Sequence, residues 1–482
     1  TVLVRDIRKG EKDPYCENLT VVNGTLFFSA NDGIHGSELW KSDGTTSGTV
    51  LVCDNSAQFP MDLTDVQGTL FFTAYTDATG LELWKSDGTS SGTVLVRDIR
   101  PGPDDSNIES TVAVGDTLFF VANDGIRGAE LWKSDGTTSG TVLVRDLESE
   151  DPENTDPFER IRPYNLINLN GTLFFVADDG IHGNELWRSD GTEAGTRLLK
   201  DVFQGGGGAF DPNLTHHSLY NLNGTLFFAA SDREHGCELW QSDGTEKGTV
   251  LVHDTNKTPL TPYFEWMSEM NNTLFFSAHD GIHGSELWKS DGTTSGTTLL
   301  KDIQVGERDA IPYYPTAIKG TLFFTADDGI HGAELWKSDG TTSGTVLVKD
   351  IFVGYEWSEP LHMMDVKGTL FFAAFDIGSG WELWKSDGTD SGTVLIKDIR
   401  PGAEGSMDPF LSPNFVSING TLFFLANDGT HGWELWKSDG TESGTVLVKD
   451  IYTGPQGACD NGQASLVEVN GTLFFCADDG IH

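Results

Sequence analysis

Residues 25–48 read TLFFSANDGIHGSELWKSDGTTSG, and TVLV follows at residues 49–52. Nine copies of this module run through the 482-residue chain without an insertion or deletion. They open at Thr25, Thr69, Thr117, Thr172, Thr225, Thr273, Thr321, Thr369 and Thr421. The threonine that opens TVLV or its variant always stands 24 positions on, from 25 to 49 in the first copy and from 421 to 445 in the ninth. Between modules the spacing wanders, from 20 residues (49 to 69) to 31 (141 to 172). A rigid half and an elastic half, repeated, describe an array of similar supersecondary units joined by variable loops.

Each unit reads as four short strands. Residues 19–22 (LTVV) are a β-type run, and Asn23-Gly24 is a strong two-residue hairpin signal because both positions take positive φ. Residues 25–30 form the second strand, NDGIHG (31–36) a turn, SELWK (37–41) the third strand, and residues 43–48 a second turn. TVLVCD (49–54) is the fourth strand. Leu26-Phe27-Phe28 is apolar on both faces of its strand, so both faces need cover. Sheets stacked face to face in a ring provide that cover. The expected fold is all-β: tandem four-stranded antiparallel blades in a β-propeller of nine or ten blades, forming one repeat domain over residues 1–482. Trp40, Trp84, Trp132, Trp187, Trp240, Trp288, Trp336, Trp384 and Trp436 are expected to fill the space between blades. Length variation falls between the fourth strand and the next hairpin, on one face of the disc, where propellers commonly bind. The acidic insert at residues 147–160 and the glycine run at 205–208, read as flexible, both lie there.

The balance of 73 acidic against 31 basic residues gives a formal charge of −42. Nucleic acid and anionic membrane surfaces are therefore poor partners. An acidic coat suits solubility, salt or divalent cations. No stretch has the apolar length of a membrane helix, and no signal peptide is evident. Five cysteines (Cys16, Cys53, Cys237, Cys459, Cys476) are too few for a disulfide scaffold. Cys459 with Cys476 is one candidate bridge. CxxC is absent, which removes support for a zinc ribbon or thioredoxin-like site.

ELWKSDGTTSGT resembles the ELWxxDGT repeat family, and the resemblance covers essentially the whole chain. It implies a propeller-like array in a secreted or surface-associated protein. SDGTxxGT is also similar to the Asp-box hairpin of sialidase-like propellers, but its spacing differs and no arginine triad can be assigned.

Several repeated residues are candidates for chemistry. Asp43, Asp87, Asp135, Asp190, Asp243, Asp291, Asp339, Asp387 and Asp439 open the turn between strands three and four. They are candidate calcium ligands, but the plainer role is to accept backbone N–H groups of their own turn. Asp32 with His35, Asp179 with His182, Asp328 with His331 and Asp428 with His431 are candidate metal pairs. Thr79, Arg127 and Ser379 replace the histidine in other copies, which favours turn formation and stacking on an aromatic neighbour. Glu38 and its equivalents sit inside a packed strand and need a partner, either backbone N–H groups or the module's lysine. Sequons at Asn18, Asn23, Asn170, Asn213, Asn223, Asn256, Asn271, Asn419 and Asn470 are candidate glycosylation sites; five are hairpin Asn-Gly-Thr. No GxSxG, HExxH, Walker or dinucleotide fingerprint is present.

Regular repetition without a unique polar constellation leads to the expectation of a non-enzymatic extracellular structural or adhesive protein, self-assembling or filament-forming. It would need no cofactor beyond calcium, and its partners would be itself or matrix and surface components. The alternatives are a multivalent glycan-binding, lectin-like propeller, and a hydrolase or lyase that uses loops on one face. A tenth copy starts at Thr472 and lacks its ELW strand, while residues 1–4 read as a fourth strand. Together they are expected to form a tenth unit without a third strand, in a window of a longer array or in a subunit completed by another segment.

Overall fold

The computed structural model describes residues 1–9, 15–54, 57–147, 162–210, 219–255, 265–408, 415–459 and 464–481. The fold is a β-propeller of nine four-stranded antiparallel blades, with strands bonded in chain order within each. The first blade comprises Glu17–Val22, Thr25–Asn31, Ser37–Ser42 and Val50–Leu51. A two-stranded sheet, Val467–Val469 with Thr472–Phe474, follows the ninth blade. First strands of neighbouring blades pack on one another, as Glu17–Val22 does on Gln58–Val66 and Gln58–Val66 on Glu109–Val114, so they line the inside of the ring.

The module's apolar pattern accounts for this stacking. In the first blade Phe28 pairs with Trp40 and Phe27 with Lys41, which sets the register of the second and third strands. Phe27 and Leu39 project to one face and meet Leu70, Phe72, Ala74 and Trp84 of the second blade. The same arrangement recurs blade after blade, for example Phe71 and Leu83 against Leu118, Phe120 and Trp132. Both faces are dry, as Leu-Phe-Phe requires. Each tryptophan covers roughly 150–250 Å², which is about 4–6 kcal/mol of apolar burial.

Most of the expected strand pattern is observed, and the fourth strand differs. It runs Val94–Arg97 in the second blade, with a bulge where Leu83 pairs Arg97 and Trp84 pairs Leu95. In the first blade only Val50–Leu51 pairs as strand. In the second blade the bulge at Val96 turns the chain away from the ladder.

Cations join the blades. Lys41 Nζ donates to Gly88 O at 2.7 Å, Lys337 to Gly388 O at 2.6 Å and Lys385 to Gly440 O at 2.6 Å, each in the next blade. From the fourth strand, Arg97 donates to Thr141 O at 2.7 Å and its guanidinium lies 5.7 Å from the centre of the Trp132 ring.

The ring closes by the same bonds. Arg5 donates to Thr49 O at 2.8 Å and lies 5.6 Å from the Trp40 ring centre, so residues 1–7 occupy a fourth-strand position beside the first blade. Asn470 Nδ2 donates to Gly24 O at 3.3 Å, just as Asn23 Nδ2 does to Gly68 O. Val469 and Phe474 pack with Leu26, Phe28 and Trp40. A disulfide joins Cys16 to Cys476, 460 residues apart. The candidate bridge between Cys459 and Cys476 is thereby corrected: ring closure brings Cys16, not Cys459, to Cys476, while Cys459 is buried beside Leu435 and Leu466.

Candidate functional site on the loop face

Antiparallel order sorts the loops onto two faces. NDGIHG loops and fourth-strand exits share one face; Asn-Gly hairpins and SDGT turns share the other. The loop face holds the Asp–His pairs and the buried glutamates beneath them.

In the first blade Asp32 Oδ1 accepts the N–H of Ile34 and of His35, both at 2.9 Å, and closes the loop. Asp32 Oδ2 lies 2.6 Å from His35 Nδ1, and His35 Nε2 lies 3.6 Å from Asp54 beyond the fourth strand. Equivalent pairs are Asp179–His182 (2.8 Å), Asp232–His235 (2.8 Å), Asp280–His283 (2.6 Å), Asp328–His331 (2.7 Å) and Asp428–His431 (2.7 Å). The aspartate's hydrogen bond holds the proton affinity of His35, His182, His235, His331 and His431 above the ordinary histidine value. Burial works against ionisation of Asp32, yet the N–H groups of His35 and Ile34 keep its carboxyl below the usual range. The turn-forming role is observed, whereas among the described residues no aromatic ring stacks on these imidazoles and the aspartate's second oxygen orients them. In the third blade Arg127 makes the same clasp, 2.5 Å from Asp124 and 3.3 Å from Asp146.

Beneath each loop lies a buried glutamate: Glu38, Glu82, Glu130, Glu185, Glu238, Glu286, Glu334, Glu382 and Glu434 are all at most 1% exposed. Their partners are backbone N–H groups at the fourth-strand exit, as with Ile99 (2.9 Å) and Arg100 (3.1 Å) on Glu82. The module's lysine, the other partner considered, reaches instead into the next blade. Burial raises the carboxyls of Glu82, Glu185, Glu334 and Glu382 to about 7 and that of Glu286 to about 8.

The variable loops carry a device that sequence reading missed. Ser106 N donates to Leu81 O (3.1 Å) and Ser106 O accepts from Asn123 N (2.8 Å), which stitches two blades together. Ala209, Ala310, Ser358, Ser406 and Ala458 hold the same buried position. Each stands four residues after a positive-φ glycine: Gly102, Gly205, Gly306, Gly354, Gly402 and Gly454. That G-x-x-x-[SA] spacing was the available signal. Ser358 and Ser406 also donate to Glu334 and Glu382 at 2.6 Å. The glycine run at 205–208, read as flexible, is a close-packed passage in which a Cβ on Gly207 would lie 2.2 Å from the Phe203 ring. Of the acidic insert, residues 148–160 lie outside the described residues.

The candidate calcium ligands lie on the opposite face, separate from the Asp–His pairs. Asp43 Oδ1 accepts Thr45 N (2.8 Å) and Thr45 Oγ1 (2.7 Å), and Asp87, Asp135, Asp190, Asp243, Asp291, Asp339, Asp387 and Asp439 each do the same in their own turn. The Thr45 hydroxyl first, then its N–H, holds the Asp43 carboxyl low. A Cβ on Gly48 would lie 2.0 Å from Asp43 Oδ1, which is why the turn needs that glycine. Among the described residues no group of three or more His, Cys, Asp or Glu side chains is disposed to hold a metal ion. Of the sequons, Asn23, Asn170, Asn223, Asn271, Asn419 and Asn470 take positive φ in hairpins on this face. Asn18 donates to Pro60 O from a bulge, and Asn213 and Asn256 lie outside the described residues.

No family model matches the chain, and no curated protein matches it. Among solved structures, a computationally designed protein, Ika8, is 14% identical over 76% of this chain and 95% of its own, with a TM-score of 0.37. A puromycin hydrolase is 15% identical over 76% of this chain and 59% of its own (TM-score 0.32). A structure from work on two prolyl endopeptidases is 11% identical over 87% of this chain and 55% of its own (TM-score 0.35). The chain thus spans little more than half the length of these two enzymes. The expectation of a non-enzymatic structural protein is corrected by these matches, which include proteins named as a puromycin hydrolase and prolyl endopeptidases.

Proposed function

We propose that this chain is a hydrolase, or the substrate-engaging ring of one, that works through its loop face. The observation that carries this reading is the short contact between Asp Oδ2 and His Nδ1, repeated in six blades with distances of 2.6 to 2.8 Å. A carboxylate on Nδ1–H fixes the tautomer and orients the ring, so Nε2 becomes the atom that takes or gives a proton. The aspartate raises the proton affinity of His35, His182, His235, His331 and His431, which favours their protonated form and suits them to proton transfer. Water is the nucleophile in this scheme. The formal charge of −42 favours neutral or cationic substrates. The disulfide between Cys16 and Cys476 supports an oxidising, extracellular setting.

The test is turnover of a panel of neutral and cationic chromogenic peptides, esters and glycosides. Wild-type protein is expected to turn over at least one class. Replacing His35, His182, His235, His283, His331 and His431 together by Asn should lower the rate about 10²–10⁴-fold while the fold persists by circular dichroism. A rate indistinguishable from buffer, or one untouched by the six substitutions, overturns the reading.

A further inference from the structure

The first strands, which line the inside of the ring, share a backbone feature that the Asp–His pairs do not use. Seven positions before the threonine that opens the second strand, seven of the described blades hold a non-glycine residue with φ between 51° and 55°. In the first four blades it is Asn18, Asp62, Ser110 and Asn165; in the sixth, seventh and eighth it is Trp266, Tyr314 and His362. Each lies near the start of its first strand, which runs from the loop face towards the hairpin face, so these residues surround the loop-face mouth of the central opening. Short polar side chains, asparagine and aspartate above all, tolerate this left-handed backbone and bond locally. Asn18 Nδ2 donates to Pro60 O at 3.2 Å, and Asp62 accepts the Thr73 hydroxyl at 3.2 Å. A bulky aromatic residue is strained there, and such strain gathers at ligand clamps. Trp266 and Tyr314 nonetheless occupy the position in adjacent blades, whose first strands pack on one another. Their ring centres lie 4.9 Å apart with the planes at 50°, and Tyr313 meets Tyr314 edge-on at 5.1 Å. Rings that serve the core are buried, as Phe275 and Phe324 of the same blades are, whereas Trp266 and Tyr314 are each 40% exposed.

We propose that Trp266 and Tyr314 form a binding site for a basic side chain, arginine or lysine, of a peptide that enters the loop-face mouth of the central opening. The inference rests on the hydrolase reading in that it names the substrate group the ring engages. Two tilted rings each offer a cation the negative face of a π system, and tryptophan and tyrosine are the strongest such partners. The chain uses the same chemistry within its own fold: the Arg97 guanidinium lies 5.7 Å from the Trp132 ring centre and the Lys301 ammonium 5.8 Å from that of Trp336. The charge around the pair has the matching sign. Burial first, and then the charge of Glu359, raises the proton affinity of the Tyr313 phenol, and Asp327 and Glu334 act in the same direction. Glu359 is half-buried where the chain enters the eighth blade, and its N–H bonds Ala333 O of the seventh. Carboxylates beside two ring faces select a cation over a neutral sugar and reject an acidic peptide. The formal charge of −42 draws that cation towards the opening.

The experiment titrates a capped Gly-Gly-Arg-Gly-Gly peptide into the whole chain by calorimetry, beside the same peptide with citrulline for arginine and a neutral glucose hexasaccharide. Saturable binding of the arginine peptide is expected, with the citrulline peptide about tenfold weaker or worse. Trp266→Asn and Tyr314→Asn install the residue that Asn18 and Asn165 supply at this backbone position. Each should weaken the arginine peptide about five- to tenfold while Tm stays at or above the wild-type value, a pairing that a merely structural role for the rings would not give. The variant in which all six paired histidines are Asn should bind the peptide as wild type does. Binding of the arginine peptide without turnover of any substrate overturns the hydrolase reading and leaves this site standing. The proposal is overturned by equal binding of the citrulline peptide, by tighter binding of the hexasaccharide, by absent or non-saturable binding, or by Asn variants that bind as wild type does or that lose Tm.

Discussion

Glu382→Gln separates the cost of ionising a buried carboxyl from the benefit of its hydrogen bonds. Glu382 is fully buried, accepts Arg400 N at 3.0 Å and takes the Ser406 hydroxyl at 2.6 Å. Burial is the dominant influence and lifts its carboxyl from 4.5 to about 7. A folded-state value above the unfolded one means the native protein holds the proton more tightly. Stability from this site is therefore full below pH 4.5 and is lost as pH rises through 7. A gap of this size corresponds to about 3 kcal/mol. Glutamine keeps an acceptor for Arg400 and carries no titrating proton. At pH 4.5 the variant should be about 1 kcal/mol less stable than wild type, from imperfect hydrogen bonding. By pH 8 it should be more stable by about 2 kcal/mol, since only wild type has lost the proton-linked stabilisation. Urea unfolding at pH 4.5, 6 and 8 reads the difference directly. Glu382→Ala should destabilise at every pH, because it leaves the half-buried Arg400 N–H and the buried Ser406 hydroxyl without this acceptor. A difference between Gln and wild type that does not change with pH would refute the reasoning.

Other perturbations probe the stacking and the turn. Phe372→Ala, at a fully buried position between the seventh and eighth blades, should cost about 3–5 kcal/mol by chemical denaturation. Asp339→Ala removes the acceptor of Thr341 N and Thr341 Oγ1 and should lower Tm at neutral pH. Hydrogen bonds keep that carboxyl below 3.8, so its contribution is present above this value and is lost as pH falls. The deficit in Tm should therefore shrink in acid.

The blades were legible in the sequence because their signals are local. Leu26-Phe27-Phe28 demanded cover on both faces, and Asn23-Gly24 supplied the positive φ that the hairpin shows (49° and 73°). The glutamate's need for backbone donors also followed from burial within one unit. Contacts across blades were not legible. Lys41 and Gly88 are 47 residues apart, and no local pattern marks them as partners. The Cys16–Cys476 bridge depends on the ring bringing distant segments together, which spacing cannot reveal. The fourth strand was read too long because a bulge at Val96 is a matter of backbone geometry, not of residue type. The Ser106-type stitch was present as G-x-x-x-[SA], but loop-length variation hid it. The Asp–His geometry was half legible: the pair was seen, whereas the clasp between His35 and Asp54 spans the second loop and the fourth-strand exit.

The central structural claim is that the ring closes by packing residues 1–7 and 467–476 on the first blade. Mass spectrometry of non-reduced proteolytic peptides, with thiols alkylated beforehand, tests it most directly. A peptide carrying Cys16 linked to one carrying Cys476 is the expected result, with Cys237 recovered as an alkylated thiol after unfolding. A bridge between Cys459 and Cys476, or alkylation of both Cys16 and Cys476, would contradict the closure described.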